Sequence, residues 1–363
     1  MADADLGTEG TLMKPVLIFQ NYYTPARDAL FREMIAQGQQ LVVLYAHLPG
    51  DEGRRWAEPA DVPYRSVQMR HLRVGKSVLF WVPRAFWRWD GPVMATDNNP
   101  TNIAMIAWCL LFRLLGRRLG MWVEHIPDTY KGRAKLFYQQ ACTRVLCALS
   151  DKVAAFSAMT ETYLDGLVAP AKVVRMIQAT PTDAAVNVPR GAQRLTRFGY
   201  LGAASERKNV PALRAAFAML EGADLTLHLA GFDERADTET DPRLRFHGYV
   251  DGPAREAFFA GIDVLVLPSF ADPWGFVVNE ALARGALAIV TDRCGSAEMV
   301  RLIDPAMVCG VTGQEIAAAM AHAAALAPNA VKPLRVQADR VVAMYGMDSA
   351  AQRFVAICRE IEA

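Results

Sequence analysis

The 363-residue sequence predicts an α/β protein made of two doubly wound, Rossmann-like domains that face each other across a cleft. Three observations carry that expectation. Short, wholly apolar runs alternate with helix-period stretches, the pattern of parallel strands covered by helices on both faces. The alternation lapses at residues 179–190 (ATPTDAAVNVPR), where two prolines sit in a weakly periodic stretch, and then restarts. Hydrophobic residues make up 52% of the chain and charged residues 21%, which supplies apolar material for two cores.

Taken in order, residues 1–12 carry Asp3, Asp5 and Glu9 and lack a basic and an apolar region, so they read as a frayed tail and not as a signal peptide. Residues 16–20 (VLIFQ) form the first strand, 21–25 a turn, 27–37 a helix and 41–45 (LVVLY) the second strand. Residues 51–90 fit the alternation least well. It resumes with strand 93–95, helix 103–119, strand 121–124, helix 136–150 and strand 153–156. Beyond the lapse come strands 198–201, 225–230, 244–246, 264–267 and 287–290, with helices at 211–220, 253–261 and 276–284, and a final helix at 349–360. The expected organisation is a first domain over 13–185, a second over 186–345, and a terminal helix over 346–363 that packs back on the first. Tandem sheets of this kind bind ligands at the carboxyl ends of their strands.

Composition excludes several classes. Lys plus Arg numbers 39 against 38 for Asp plus Glu, so no field points to nucleic acid as a partner. The six cysteines are spread without a C-x-x-C pair, as in a reduced, cytoplasmic protein. The longest apolar run, 103–112, is about half of the ~20 residues a membrane span needs. Charge is uneven, however: residues 70–144 hold twelve Lys or Arg against four acids, interleaved with Phe80, Trp81, Phe86, Trp87, Trp89, Trp108 and Trp122. Two readings stay open for that stretch. Either the rings and cations rest on an anionic membrane surface, at the inner face of the plasma membrane, or the rings are core and the arginines solvated.

The segment most informative about chemistry is 267–280, LPSFADPWGFVVNE. A buried strand ends at Pro268, a loop of small and acidic residues follows, and a helix begins near Gly275. Backbone N–H groups at a helix start attract anions, and Gly275 removes the side chain that would hold a phosphate away. Asp272 and Glu280, eight apart, can face one ligand from loop and helix, and a carboxylate there suits the hydroxyls of a sugar or ribose. From spacing alone, the alternative is a helix-capping Asp272 and a surface Glu280.

This string resembles the E-x7-E signature of retaining glycosyltransferases of family 4, with Asp272 where those enzymes have the first Glu. Segments 198–213 (FGYLGAASERKNVPAL), 227–231 (LHLAG), 246–250 (FHGYV), 262–269 (IDVLVLPS) and 291–300 (TDRCGSAEMV) follow the family's order. The resemblance implies the GT-B fold. It implies that Glu280 holds the ribose, Asp272 the transferred sugar, and the N–H groups of Gly275 and Phe276 the diphosphate. Lys208 then stands where a cation meets the departing diphosphate, beyond the strand glycine Gly202, and Tyr249 and Val250 lie where members cradle the base. The sequence departs from the family at Ala203, which replaces the usual Arg, and in the first loop (NYYTP), which lacks glycines; Arg207 and Arg27 are the arginines nearest to those gaps. Residues 121–128 (MWVEHIPD) resemble the strand and His that reach the donor sugar, which makes His125 a candidate for polarising it; a satisfied structural histidine is the alternative. Arg27, Glu124 and Asp97 are candidate acceptor contacts.

G-x-G-x-x-G, P-loop, H-E-x-x-H and G-x-S-x-G patterns are absent, and the one Asp-x-Asp pair, Asp3 and Asp5, lies in the tail. No cofactor and no metal are expected. The expected activity is transfer of a hexose from a nucleoside-diphosphate sugar to a saccharide or lipid-linked acceptor; a non-catalytic relative, a nucleotide-sugar epimerase and a membrane-surface adaptor are the alternatives.

Overall fold

The computed structural model describes residues 14–46, 61–74, 77–97, 103–126, 133–181, 194–232 and 241–362. In the first half, β1 (Val16–Gln20), α1 (Pro25–Ala36), β2 (Leu41–Tyr45) and β3 (Arg65–Gln68) precede a hairpin of β4 (Arg70–Val74) and β5 (Ser77–Trp81). Then come β6 (Val93–Asp97), α2 (Ile103–Leu114), β7 (Leu119–Val123), α3 (Arg133–Leu149), β8 (Lys152–Ala155), α4 (Ala158–Leu164) and β9 (Val173–Arg175). The second half runs β10 (Arg197–Leu201), α5 (Val210–Ala218), β11 (Thr226–Ala230), β12 (Leu244–Phe246), α6 (Gly252–Gly261), β13 (Val264–Leu267), α7 (Val277–Ala283), β14 (Leu287–Thr291), α8 (Ala297–Ile303) and β15 (Val308–Cys309). Helices α9 (Gly313–Ala325), α10 (Pro328–Met344) and α11 (Met347–Glu362) close the chain.

The two sheets have strand orders β3-β2-β1-β6-β7-β8-β9 and β12-β11-β10-β13-β14-β15, and every pair within them is parallel. Each order reverses beside the strand that opens its half, between β1 and β6 and between β10 and β13. That reversal sends the following loops apart and opens a crevice at the strands' carboxyl ends. The predicted α/β class with two Rossmann-like sheets is therefore what the chain adopts.

Local chemistry sets the element ends. Thr24 caps α1 by accepting from the Arg27 N–H, with Pro25 at the first helical position. Thr312 and Glu315 form a capping box on α9. The expected helix 103–119 is shorter than predicted: Gly116 takes φ +73°, which ends α2, and Leu119 pairs with Val93 as the first residue of β7. Residues 65–81, which fitted the alternation poorly, hold an edge strand and the antiparallel β4–β5 hairpin.

One core cluster lies between the first sheet and α2, α3 and the hairpin, and includes Phe19, Phe80, Phe112 and Leu146. The other starts on the opposite face, with Ile18, Phe31 and Trp122, and continues through Phe156 and Trp274 into the second half. Helix α11 leaves the second half and packs on α1, β7 and β8. There the Phe354 ring lies 5.2 Å from that of Trp122, and Arg353 Nε donates to the Arg175 carbonyl at 2.7 Å. The 1–12 tail, the boundary at 185/186 and nearly all of 179–190 lie outside the described residues.

For the aromatic stretch the core reading holds at most positions. Phe80, Phe86 and Trp122 are buried, Trp87, Trp89 and Trp108 are half-buried, and Trp81 alone of the seven is exposed. Trp108 and Trp87 donate their indole N–H groups to the Phe80 and Val82 carbonyls. All six cysteines are free, five of them buried. Among the described residues no helix is long and apolar enough to cross a membrane.

Candidate active site

Strand β13 is buried along its length and delivers the chain at Pro268 to the carboxyl edge of the sheet. The loop that follows is stitched to the loop after β14: Asp272 N–H donates to the Arg293 carbonyl at 3.0 Å, Gly295 N–H to the Asp272 carbonyl at 3.0 Å, and Ser296 N–H to the Trp274 carbonyl at 2.9 Å. Gly275 takes φ +91°, and a Cβ there would lie 2.5 Å from Leu267 Cδ2, so glycine is required on both conformational and packing grounds. Trp274, buried, donates to Asn279 Oδ1 at 2.7 Å, and Asn279 Nδ2 donates to the Gln178 carbonyl at 3.0 Å. That second bond ties the loop to the segment leaving the first sheet.

Charged groups converge on this loop. Lys208 Nζ donates to Asp272 Oδ2, and Arg207 Nη1 lies 3.9 Å from Asp272 Oδ1 while donating to the Ala271 carbonyl at 2.8 Å. Lys208 is held there by Asn209, the sole described non-glycine residue with positive φ. Its side-chain amide donates to the Pro268 and Val311 carbonyls at 3.1 and 2.9 Å. Further along α7, Glu280 pairs with Arg255 of α6. Burial pushes the Glu280 carboxyl above its ordinary range, and the Arg255 charge opposes that rise. Arg284 donates to the Glu280 carbonyl at 3.1 Å and is itself paired with Glu256.

The floor between β10 and β11 is bare backbone. Gly202 N–H donates to the Ala230 carbonyl at 3.0 Å, and a Cβ on Gly231, whose φ is +98°, would lie 2.6 Å from the Gly202 carbonyl oxygen. Tyr200 OH caps that floor by donating to the Ala203 carbonyl at 2.9 Å.

The opposite wall comes from the first half. A cavity of about 230 Å³ is lined by Gln20, Arg27, Glu124, Phe156, Gln178 and Phe276 among others, so both halves contribute to it. Arg27 pairs with Glu124 and stacks 3.4 Å over the Trp122 ring. Burial pushes its guanidinium down to about 9. Phe276 meets Phe156 edge to face at 6.1 Å.

The structure thus joins Lys208 to Asp272, places Gly275 beside Asp272 with Gly202 just past the end of β10, and puts Arg27, Glu124 and Phe276 around one cavity. His125 is buried just past the end of β7 and does not line that cavity; Asp97 ends β6. Tyr249 is 66% exposed and Val250 half-buried, both beyond β12. Arg255, Asn279, Gln178 and Phe156 carried no sequence signal. Arg255 meets Glu280 only because α6 and α7 flank the same strand, a relation no spacing encodes.

Residues 196–326 match the family model of Glycosyl transferases group 1. No curated protein sequence matches the chain. Among solved structures, sucrose-phosphate synthase from Thermosynechococcus elongatus is similar, with 15% identity, a TM-score of 0.67, and coverage of 96% of this chain and 99% of that one. A glycosyltransferase from Rickettsia africae superposes with a TM-score of 0.71 at 12% identity, covering 96% and 99% of the two chains. HepE of Anabaena, in complex with UDP, gives 0.67 at 15% identity, covering 95% and 99%. The second half therefore carries a Glycosyl transferases group 1 domain, and the chain as a whole has the GT-B architecture of these structures.

Proposed function

We propose that the protein transfers a hexose from a nucleoside-diphosphate sugar to a hydroxyl of a saccharide or lipid-linked saccharide acceptor, with retention, in assembly of a cell-envelope or exported polysaccharide. The observation that carries this reading is the cluster at the carboxyl end of β13, where Lys208 and Arg207 meet Asp272, with Glu280 half-buried on α7. Two cations beside a floor without side chains suit a diphosphate, and two carboxylates suit the hydroxyls of a sugar and a ribose. HepE, a structural neighbour, holds UDP in its crystal structure.

In this reading Lys208 and Arg207 neutralise the diphosphate as it departs, so Arg207 supplies the charge that Ala203 lacks. Gly202, Gly275 and Phe276 offer backbone to the phosphates, and Glu280 holds the ribose. Asp272 and His125 orient the transferred sugar, and Tyr249 and Val250 border the base. Arg27, Glu124 and Asp97 meet the acceptor from the first half. The bond from the anomeric carbon to the phosphate oxygen breaks with its electron pair leaving on the diphosphate. The acceptor oxygen bonds to that carbon from the same face, and its proton passes to the departing phosphate oxygen. Closure of the cleft keeps water from competing as acceptor. With protein cations on the phosphates, transfer proceeds without a divalent metal and persists in EDTA.

Calorimetric titration with UDP, GDP and ADP tests the donor site. One of the three binds, and Glu280→Ala weakens it by roughly 10- to 150-fold, the loss of a charge-assisted hydrogen bond of about 1.5–3 kcal/mol. If none binds, the reading falls. Turnover of a sugar nucleotide with no acceptor present would favour an epimerase instead.

A further inference from the structure

We propose that the outer face of α2 and α3 docks on an anionic phospholipid bilayer, and that the hollow at the foot of α2 receives the lipid headgroups. The proposal rests on the membrane-borne acceptor inferred above and names the surface that would bring the enzyme to it.

Water-facing helix surfaces are normally polar. On α2 the outward positions are Ile103, Ala107, Leu110 and Leu114, spaced i, i+4, i+7 and i+11, and all four are exposed. They form one apolar stripe, with Leu114 76% exposed. Helix α3 packs alongside and also presents apolar side chains to solvent. Phe137, 70% exposed, and Val145 face outward, while Gln139 and Thr143 are fully buried. Both amide atoms of Gln139 are without a hydrogen-bond partner among the described residues. On the other flank of α2, the hairpin adds exposed Leu72 and Trp81. Exposed apolar side chains gathered on three adjoining elements mark a contact with something other than water.

Charge indicates what that contact is. Past Leu114 the chain turns through Gly116 into Arg117 and Arg118, which with Lys14 and Arg359 line a hollow of about 630 Å³. Asp90 and Glu362 are its acids. The indole N–H of Trp89 and the Nε of Arg117, both buried donors, have no partner among the described residues. Donors and cations beside an apolar stripe match a phosphodiester headgroup with its acyl chains. The hollow lies at the amino ends of β6 and β7, whereas the donor site lies at the carboxyl ends of the strands, so the two sites are separate. Helix α2, about 18 Å long at 1.5 Å per residue, spans that height and brings its Ile103 end to the cleft side of the sheet.

Co-sedimentation with phosphatidylcholine vesicles, with and without phosphatidylglycerol, is the test, with nucleotide titration run on the same samples. The wild type pellets with the phosphatidylglycerol vesicles alone. Leu110→Ser with Leu114→Ser reduces partitioning roughly tenfold or more, and the exposed change Arg118→Gln reduces it about fivefold. Nucleotide affinity stays unchanged in each variant, which also shows that the variants are folded. Equal binding to both vesicle types, binding to neither, or a dimer in light scattering that the leucine variant dissociates would each overturn the proposal. Vesicle binding without nucleotide binding leaves it standing and removes the donor reading.

Discussion

At the carboxyl end of β13, Lys208 and Asp272 neutralise each other, with Asp272 only 6% exposed. An uncompensated carboxylate at that depth is costly, so the pair stabilises the folded site. Lys208→Ala is therefore expected to act twice. It lowers kcat/KM by roughly 100- to 1,000-fold, the scale for removing one preorganised group that stabilises developing charge, and it lowers the melting temperature by orphaning Asp272. Arg207→Ala, with its guanidinium 3.9 Å from Asp272 and 45% exposed, lowers kcat/KM less and leaves melting nearly unchanged. Steady-state kinetics and thermal melts on the two variants separate these effects; equal kinetics with wild type in both would place the diphosphate elsewhere. At this scale the sequence was legible where a residue's placement depends on its own segment, as for the strand-loop-helix that carries Asp272, Gly275 and Glu280. It was not legible where the role depends on a partner brought by the fold, as for Arg255 on Glu280 or Gln178 on Asn279.

At the scale of elements, most strands of the two sheets were readable because buried parallel strands are uninterrupted apolar runs, and β2 and β13 fall where that pattern puts them, whereas the edge strands β3, β9 and β15 were missed. Helices α9 and α10 were not, since α9 is mostly alanine and α10 carries Pro328 and Pro333 among polar residues, which masks its period. The edge of the second sheet carries a pH-dependent contact. His228 Nδ1, in the middle of β11, lies 3.0 Å from Nε2 of His247, just past β12, with the rings stacked 5.2 Å apart. Burial first, and the neighbouring His247 second, push His228 down to about 4, and burial also lowers His247. Depressed histidines bind fewer protons in the folded chain than in the unfolded one, so this contact favours folding above the ordinary histidine value of ~6.5 and loses that advantage as pH falls toward 4. Denaturant midpoints should therefore decline from pH 7 to pH 4, and His228→Gln should flatten part of that decline. A slope unchanged by the substitution would show that the acid sensitivity originates elsewhere.

At the scale of the whole molecule, two lobes could be read from the sequence but the sharing of a core could not, because it turns on residues as distant as Trp122 and Phe354. The apolar cluster that fills the second lobe passes through Phe156 and Trp274 to the α1 side of the first sheet, and α11 seals it there with Phe354 fully buried against Trp122. Gln37 Nε2, at the C-cap of α1, donates to Asp348 Oδ1 at 2.8 Å, and Lys152 on β8 pairs with Glu360 at 3.2 Å, so the helix is fastened at both ends. Lobes that share a core unfold together, whereas lobes joined by a strand of chain unfold apart. The intact chain should therefore give a single calorimetric transition. Phe354→Ala removes a buried ring and leaves a cavity, at a cost of about 3–5 kcal/mol, and that cost falls on the joint between lobes. It should split the transition, with the first lobe melting earlier and the second near its original temperature, and nucleotide should still stabilise the later peak because every donor contact assigned above except His125 lies in the second lobe. If the variant instead melts in one lowered step, with nucleotide shifting all of it, α11 is an ordinary part of a single cooperative unit, and opening of the cleft must hinge elsewhere.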